Sequence, residues 1–278
     1  MKWRIVLCMM FVIVVLPTTG FAADAEAARI AVMRSLIAAL NEQIQLLTER
    51  LEVQEAASVR AVPYTRTIDN LKVSSFYDGE YTALYETSGA VLSPIGRQHV
   101  RALDQTIWDR FVALTGARYA EVNVQEFRVF ADRNSPYDAF ADLDEVTGKW
   151  ILGFNTYGID FTEPSVWDDI DPVLIHEYGH MLIDADQDLY NTFVSQFWSG
   201  SRYYEDDGRS ERERFKVFPN SFVTEYAATS PLEDCVESFV AFAYEAGMSG
   251  YLERDTKRNF FFGYPTLIAR RATIQAGM

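Results

Sequence analysis

The chain has 278 residues, with 49% hydrophobic and 23% charged residues and a formal net charge of −15 at pH 7. That balance belongs to a globular protein with a substantial core and excludes a mainly disordered chain. The excess of acid would repel a phosphate backbone, so no nucleic-acid partner is expected; a soluble surface or a field that steers a basic substrate both account for it.

Lys2 and Arg4 precede an unbroken apolar run, Ile5–Leu16, that Pro17 stops; Gly20 and Ala22 then supply small residues at the positions a signal peptidase reads. Residues 1–22 are therefore expected to be a signal peptide, cut after Ala22. The run falls short of the ~20 apolar residues a spanning helix needs, and an uncleaved anchor is the alternative. No later run approaches that length, so no membrane span is expected after cleavage. The protein would be secreted or held in the periplasm or cell envelope. Cleavage also removes Cys8, leaving Cys235 alone of the two cysteines, so no internal disulfide is expected.

Over 25–57, Ile30, Met33, Ile37, Leu40, Ile44, Leu47 and Leu51 recur at alternating spacings of three and four. This is a heptad stripe among good helix formers, without Gly or Pro. It predicts an amphipathic helix that makes a homo-oligomer, lies on its own domain or meets a partner's helix. Ser58–Asn70, with Pro63, reads as a linker, and 62–278 as one α+β domain. Ser88–Ile95 is turn-rich. A helix is expected over Arg97–Thr115, a strand over Glu121–Ala131, a polar loop over Asp132–Gly148 and a second strand over Lys149–Phe154. Asp171-Pro172 predicts a helix start, with Asp as cap and Pro in the first turn. Further helices are expected at Leu189–Trp198 and Pro231–Ala246, with a charged loop at 199–216 and two short helices around Tyr264-Pro265.

Two of the three histidines sit in His176-Glu177-Tyr178-Gly179-His180. Positions i and i+4 of a helix share a face, so both imidazoles can meet one metal ion. Glu177 projects beside them, within reach of a proton on the metal's water, which is the zinc-binding HExxH pattern. A third protein ligand is needed. Asp186 stands where a metzincin has its third histidine, but Ile183 replaces the glycine of that turn; an aspartate elsewhere is a further option. A later helix offers Glu233 and Glu237, which share a face, whereas Asp234 points about 100° away. Ser230-Pro231-Leu232-Glu233 also reads as a capping box, which would occupy Glu233 and free Glu237. The residues alone leave that choice open.

The helix motif, followed by Tyr226-Ala-Ala-Thr-Ser-Pro-Leu-Glu233-Asp-Cys-Val-Glu237-Ser-Phe239, resembles the gluzincin metallopeptidases, and among them the catalytic domain of the anthrax lethal factor-like peptidases. The resemblance covers Asp171–Phe239; Cys235 departs from the apolar residue expected there. It implies a zincin-like α+β fold, with a small sheet packed on the HExxH helix and a helical C-terminal part. It implies one zinc ion per chain held by His176, His180 and Glu233, with Glu177 as general base. Tyr226 would be the oxyanion donor, and Glu237 would orient a ligand histidine. The implied activity is hydrolysis of peptide bonds in a protein or peptide substrate, and the expected strand Glu121–Ala131 or Lys149–Phe154 could present an edge to it. Two other readings use the same residues: a catalytically silent envelope scaffold with structural zinc, and a zinc amidase acting on a cell-wall amide.

Overall fold

Alternating Thr, Tyr, Val and Phe side chains build a sheet of five strands in the computed structural model, which describes residue 77 and residues 79–96, 99–199, 210–244 and 250–278. The strands are β1 (Tyr81–Ser88), β2 (Val91–Pro94), β3 (Val124–Phe130), β4 (Ala139–Asp144) and β5 (Lys149–Asn155). Their order is β2-β1-β3-β5-β4. β1 and β2 form a hairpin, and β1 pairs antiparallel with β3. The chain leaves β3, forms the outer strand β4, and returns as β5 between them, parallel to β3 and antiparallel to β4. Phe140 of β4 lies across Gly153 of β5, where a Cβ would come within 2.1 Å of the ring. Only glycine lets the aromatic ring cover the strand there.

The helices are α1 (Ala102–Thr115), α2 (Ala117–Asn123), α3 (Val166–Ala185), α4 (Gln187–Phe197), α5 (Glu211–Val217), α6 (Pro231–Tyr244), α7 (Glu253–Phe260) and α8 (Pro265–Gly277). Short 3-10 turns cover Tyr226–Ala228 and Phe261–Gly263. The main core lies between the sheet and the helices: Phe127 and Leu152 meet Trp108 and Phe111 of α1, Leu174 and Met181 of α3, and Phe239 and Phe242 of α6. Burial of each such side chain is worth about 1.5–3 kcal/mol. The architecture is thus mixed α+β, with a small sheet followed by a helical C-terminal part.

Several boundaries differ from the sequence expectation. Glu121, Val122 and Asn123 end α2 instead of starting the strand, because the chain turns at Gly116 into a further helical stretch that runs to Asn123. The polar loop 132–148 contains β4, whose Asp142 and Asp144 read as turn residues but are buried. The turn-rich reading of Ser88–Ile95 hid β2, which pairs with the end of β1. Part of the charged stretch 199–216 is α5, started by a Ser210–Glu213 capping box. α3 begins at Val166 and carries Pro172 inside it, so Asp171 is no cap. The signal-peptide, heptad-helix and linker readings lie outside the described residues. Among the described residues no helix is long and apolar enough to cross a membrane.

Candidate metal centre

α3 is seated by its own apolar residues and by one ion pair. Ile170, Leu174, Ile175, Tyr178 and Met181 are buried, a stripe that drives the helix into the core. Asp171, instead of capping, pairs with both ends of the Arg110 guanidinium, and Arg110 Nη1 donates to the Gly277 carbonyl at 2.7 Å. α1, α3 and the end of α8 are thereby tied together one turn before His176.

α6 then approaches α3 closely. A Cβ on Gly179 would lie 3.1 Å from Val236 and 3.2 Å from Phe239. The absent side chain lets α6 bring its first turn against the two histidines. Behind that turn, Asp234 Oδ2 accepts hydrogen bonds from Lys257 Nζ at 2.6 Å and from Trp198 Nε1 at 2.7 Å, all buried. Lys257 also donates to the Ser221 carbonyl at 2.7 Å and lies 4.4 Å from the Phe222 ring centroid. Burial pushes the Asp234 carboxyl up to about 6, although Lys257 pulls the other way.

His176 Nε2 and His180 Nε2 are 3.0 Å apart, and Glu233 Oε2 lies 3.3 Å from the first and 3.4 Å from the second. Among the described residues these three supply the one cluster of ligand atoms suited to a metal ion. The buried Oε2 of Glu233 makes no hydrogen bond. The His176 ring donates from Nδ1 to Glu237 Oε1 at 2.7 Å, the tautomer a carboxylate partner requires, so a neutral His176 presents its Nε2 lone pair to the other two atoms. Three electron-rich atoms facing one another repel unless a cation or extra protons sit among them. Tetrahedral zinc with ligands at about 2.0–2.1 Å would need edges of about 3.3 Å, which the observed triangle matches. The residues present therefore fit zinc.

The Ser230 alternative resolves into a half-formed box. Ser230 Oγ accepts from the Glu233 N–H at 3.1 Å, while the Glu233 carboxylate turns to the histidines instead of back to Ser230. Glu237 lies on the far side of His176 from that cluster. Asp186, the metzincin-like candidate, caps α4 by accepting from Leu189 N at 3.0 Å. His99 is exposed and outside the cluster.

Glu177 is buried beside the triangle, on the helix that packs against β4. Burial raises its pKa, opposed by His176 and His180 and reinforced by Glu233. Tyr226 stands in its 3-10 turn with its ring 5.6 Å from the His176 ring, about half exposed. Burial of the hydroxyl, then the charges of Glu233, Glu177 and Glu237, raise its pKa, so it stays protonated and able to donate. For His176, burial works against the charged ring, but Glu233 and Glu237 outweigh it and lift the pKa to about 10. Burial likewise opposes the charged form of Glu233, yet the two histidines bring it down to about 2. These are the charge states of the protein without metal.

β4, which packs on α3, was missed by the sequence reading; β3 and β5, the strands named as peptide edges, have neighbours on both sides. A cavity of about 380 Å³ opens beside α3, bounded by Asp138, Phe154, Tyr157, Asp169 and Val173 among others. Val173 stands one helical turn before Glu177. No signal in β4 would have exposed its place, since it packs on α3 without carrying any residue of the motif.

No protein-family model and no curated protein matches the chain. Among solved structures, the chain is similar to a "putative zinc-binding metallo-peptidase" from Bacteroides caccae, at 18% identity and a TM-score of 0.39, over 64% of this chain and 80% of that one. A likeness that low assigns neither a fold nor an activity, and the site is argued below from its own geometry.

Proposed function

We propose that the protein is an exported zinc-dependent peptidase of the gluzincin type, with one zinc per chain held by His176, His180 and Glu233. The observation that carries this reading is the triangle of 3.0, 3.3 and 3.4 Å between their ligand atoms, with the Glu177 carboxyl beside it. Three protein ligands, with no fourth joining them among the described residues, is the donor count of a catalytic site and not of a structural one. Bound zinc would supply Lewis acidity, which activates water and polarises a carbonyl.

The chain's own groups do the rest. Glu177 takes the proton of the attacking water at its carboxylate and returns it to the leaving amine. Tyr226 donates its hydroxyl proton in a hydrogen bond to the developing oxyanion. Glu237 holds the His176 ring by its Nδ1–H. The signal-peptide pattern at 1–22 supports export, to the outside or to the cell envelope.

Glu177→Gln keeps size and reach but removes basicity. Zinc content should stay near one per chain, while cleavage of a mixed peptide library should fall by about 10²–10⁴-fold. A chelator should abolish cleavage by the unaltered protein. Cleavage by Glu177→Gln at the unaltered rate would sink the mechanism. Full zinc content without any peptide cleavage by the unaltered protein would favour a scaffold or an amidase.

A further inference from the structure

Thr224 lies two residues before Tyr226, in the exposed segment leading to α6, and nothing in the motif pattern singles it out. Its hydroxyl makes two bonds. It donates to Glu237 Oε2 at 2.7 Å and accepts from the Ala227 N–H at 3.0 Å. The other oxygen of that carboxylate, Oε1, accepts from His176 Nδ1 at 2.7 Å. A continuous chain of hydrogen bonds thus runs from the backbone of the Tyr226–Ala228 turn, through Thr224 and Glu237, to the imidazole whose Nε2 faces His180 and Glu233.

We propose that Thr224 is a positioning residue for the metal centre: it fixes the Glu237 carboxylate, and through it the orientation and basicity of the His176 ring. This deepens the zinc reading above and rests on it. The physical argument is one of freedom. The Glu237 carboxylate sits on a long side chain at the surface of α6, and one bond to His176 leaves it free to swing about that contact. A second bond at the opposite oxygen removes that motion. The hydroxyl can serve as this anchor because its own orientation is set: the Ala227 N–H occupies a lone pair, which directs the proton toward Glu237. A hydrogen bond to a charged acceptor is also among the stronger kinds. Serine could make both bonds; valine, of nearly the same shape, can make neither.

The test reads zinc affinity and not turnover. Full-length protein is stripped of metal, and its zinc dissociation constant is measured by competition with a chromophoric chelator. Loss of a group that orients a metal-binding histidine typically weakens binding by about 10–100-fold, which sets the expectation for Glu237→Ala. Thr224 acts one bond further out, so Thr224→Val should weaken binding by less, about three- to tenfold. Thr224→Ser should restore affinity to within about twofold. In the Glu237→Ala background, Thr224→Val should add nothing, because the carboxylate it holds is gone. Metal-free Thr224→Val should still melt cooperatively, only a few degrees below the unaltered metal-free protein as expected for the vacated Ala227 N–H, with Thr224→Ser recovering that loss, which separates positioning from a general loss of fold. Zinc affinity of Thr224→Val equal to the unaltered value, or a loss that serine does not rescue, overturns the proposal. Should the unaltered protein itself bind no zinc, the metal-site reading fails first, and that result is distinct from both.

Discussion

Glu233 carries two possible duties in one residue, and the geometry divides them between its backbone and its side chain. Its N–H is capped by Ser230 Oγ at 3.1 Å, while its carboxylate faces His176 and His180. The two can be separated by substitution. Ser230→Ala removes a helix cap and should cost about 1 kcal/mol of stability while leaving zinc content unchanged, read by thermal melting alongside metal analysis. Glu233→Gln leaves the cap intact but replaces the anionic ligand, so zinc content after dialysis should fall steeply with little change in the metal-free melting temperature. If Glu237→Gln loses the metal and Glu233→Gln keeps it, the ligand assignment is reversed. The residues alone could not separate these cases, because a capping glutamate and a ligand glutamate occupy the same place in the helix. The direction of the carboxylate distinguishes them, and α3 sets that direction.

Two helices meet to make the centre, and the means by which they meet are physical particulars. α3 contributes both histidines at i and i+4, and Gly179 lets α6 come close enough to add Glu233. The first turn of α6 is braced from behind by the buried Asp234–Lys257 pair, at 2.6 Å and with both side chains fully enclosed. Breaking such a pair leaves an uncompensated charge, which typically costs about 3–5 kcal/mol. Lys257→Met should lower the urea midpoint accordingly, and because Asp234 adjoins Glu233 it should also weaken zinc retention. A loss of stability below about 1 kcal/mol would show that the pair is not a brace. α7, which carries Lys257, has no part in the motif; its role comes from packing Lys257 between Asp234, the Ser221 carbonyl and the Phe222 ring.

For the protein in full, the heptad stripe at 25–57 is proposed as an assembly or anchoring helix and 62–278 as the part that holds the zinc. All residues of the metal centre lie beyond 170. A chain starting at Val62 should therefore keep one zinc and its peptidase activity, while any self-association of the full-length protein is lost; sedimentation and metal analysis on both check this. A folded but metal-free product would place part of the zinc-holding unit before Val62.

His176, Glu177 and His180 were legible from the sequence because helix periodicity by itself places i and i+4 on one face, and no distant contact is needed to say so. The α+β character was legible for a similar reason: strand and helix periods are local properties of the chain. The early start of α3 was not legible, because Asp171-Pro172 is locally a good helix opening and only the Arg110 guanidinium, 61 residues away, claims the aspartate. β4 was not legible either, since its aspartates favour a turn until β5 supplies a pairing partner. The spacing of the histidines thus followed from the covalent chain. That the Glu233 carboxylate and not that of Glu237 faces the two Nε2 atoms, and that Thr224 donates to Glu237, were decided only in the tertiary structure. Each of these depends on the direction of a side chain relative to a segment distant in sequence, and that direction is set by packing.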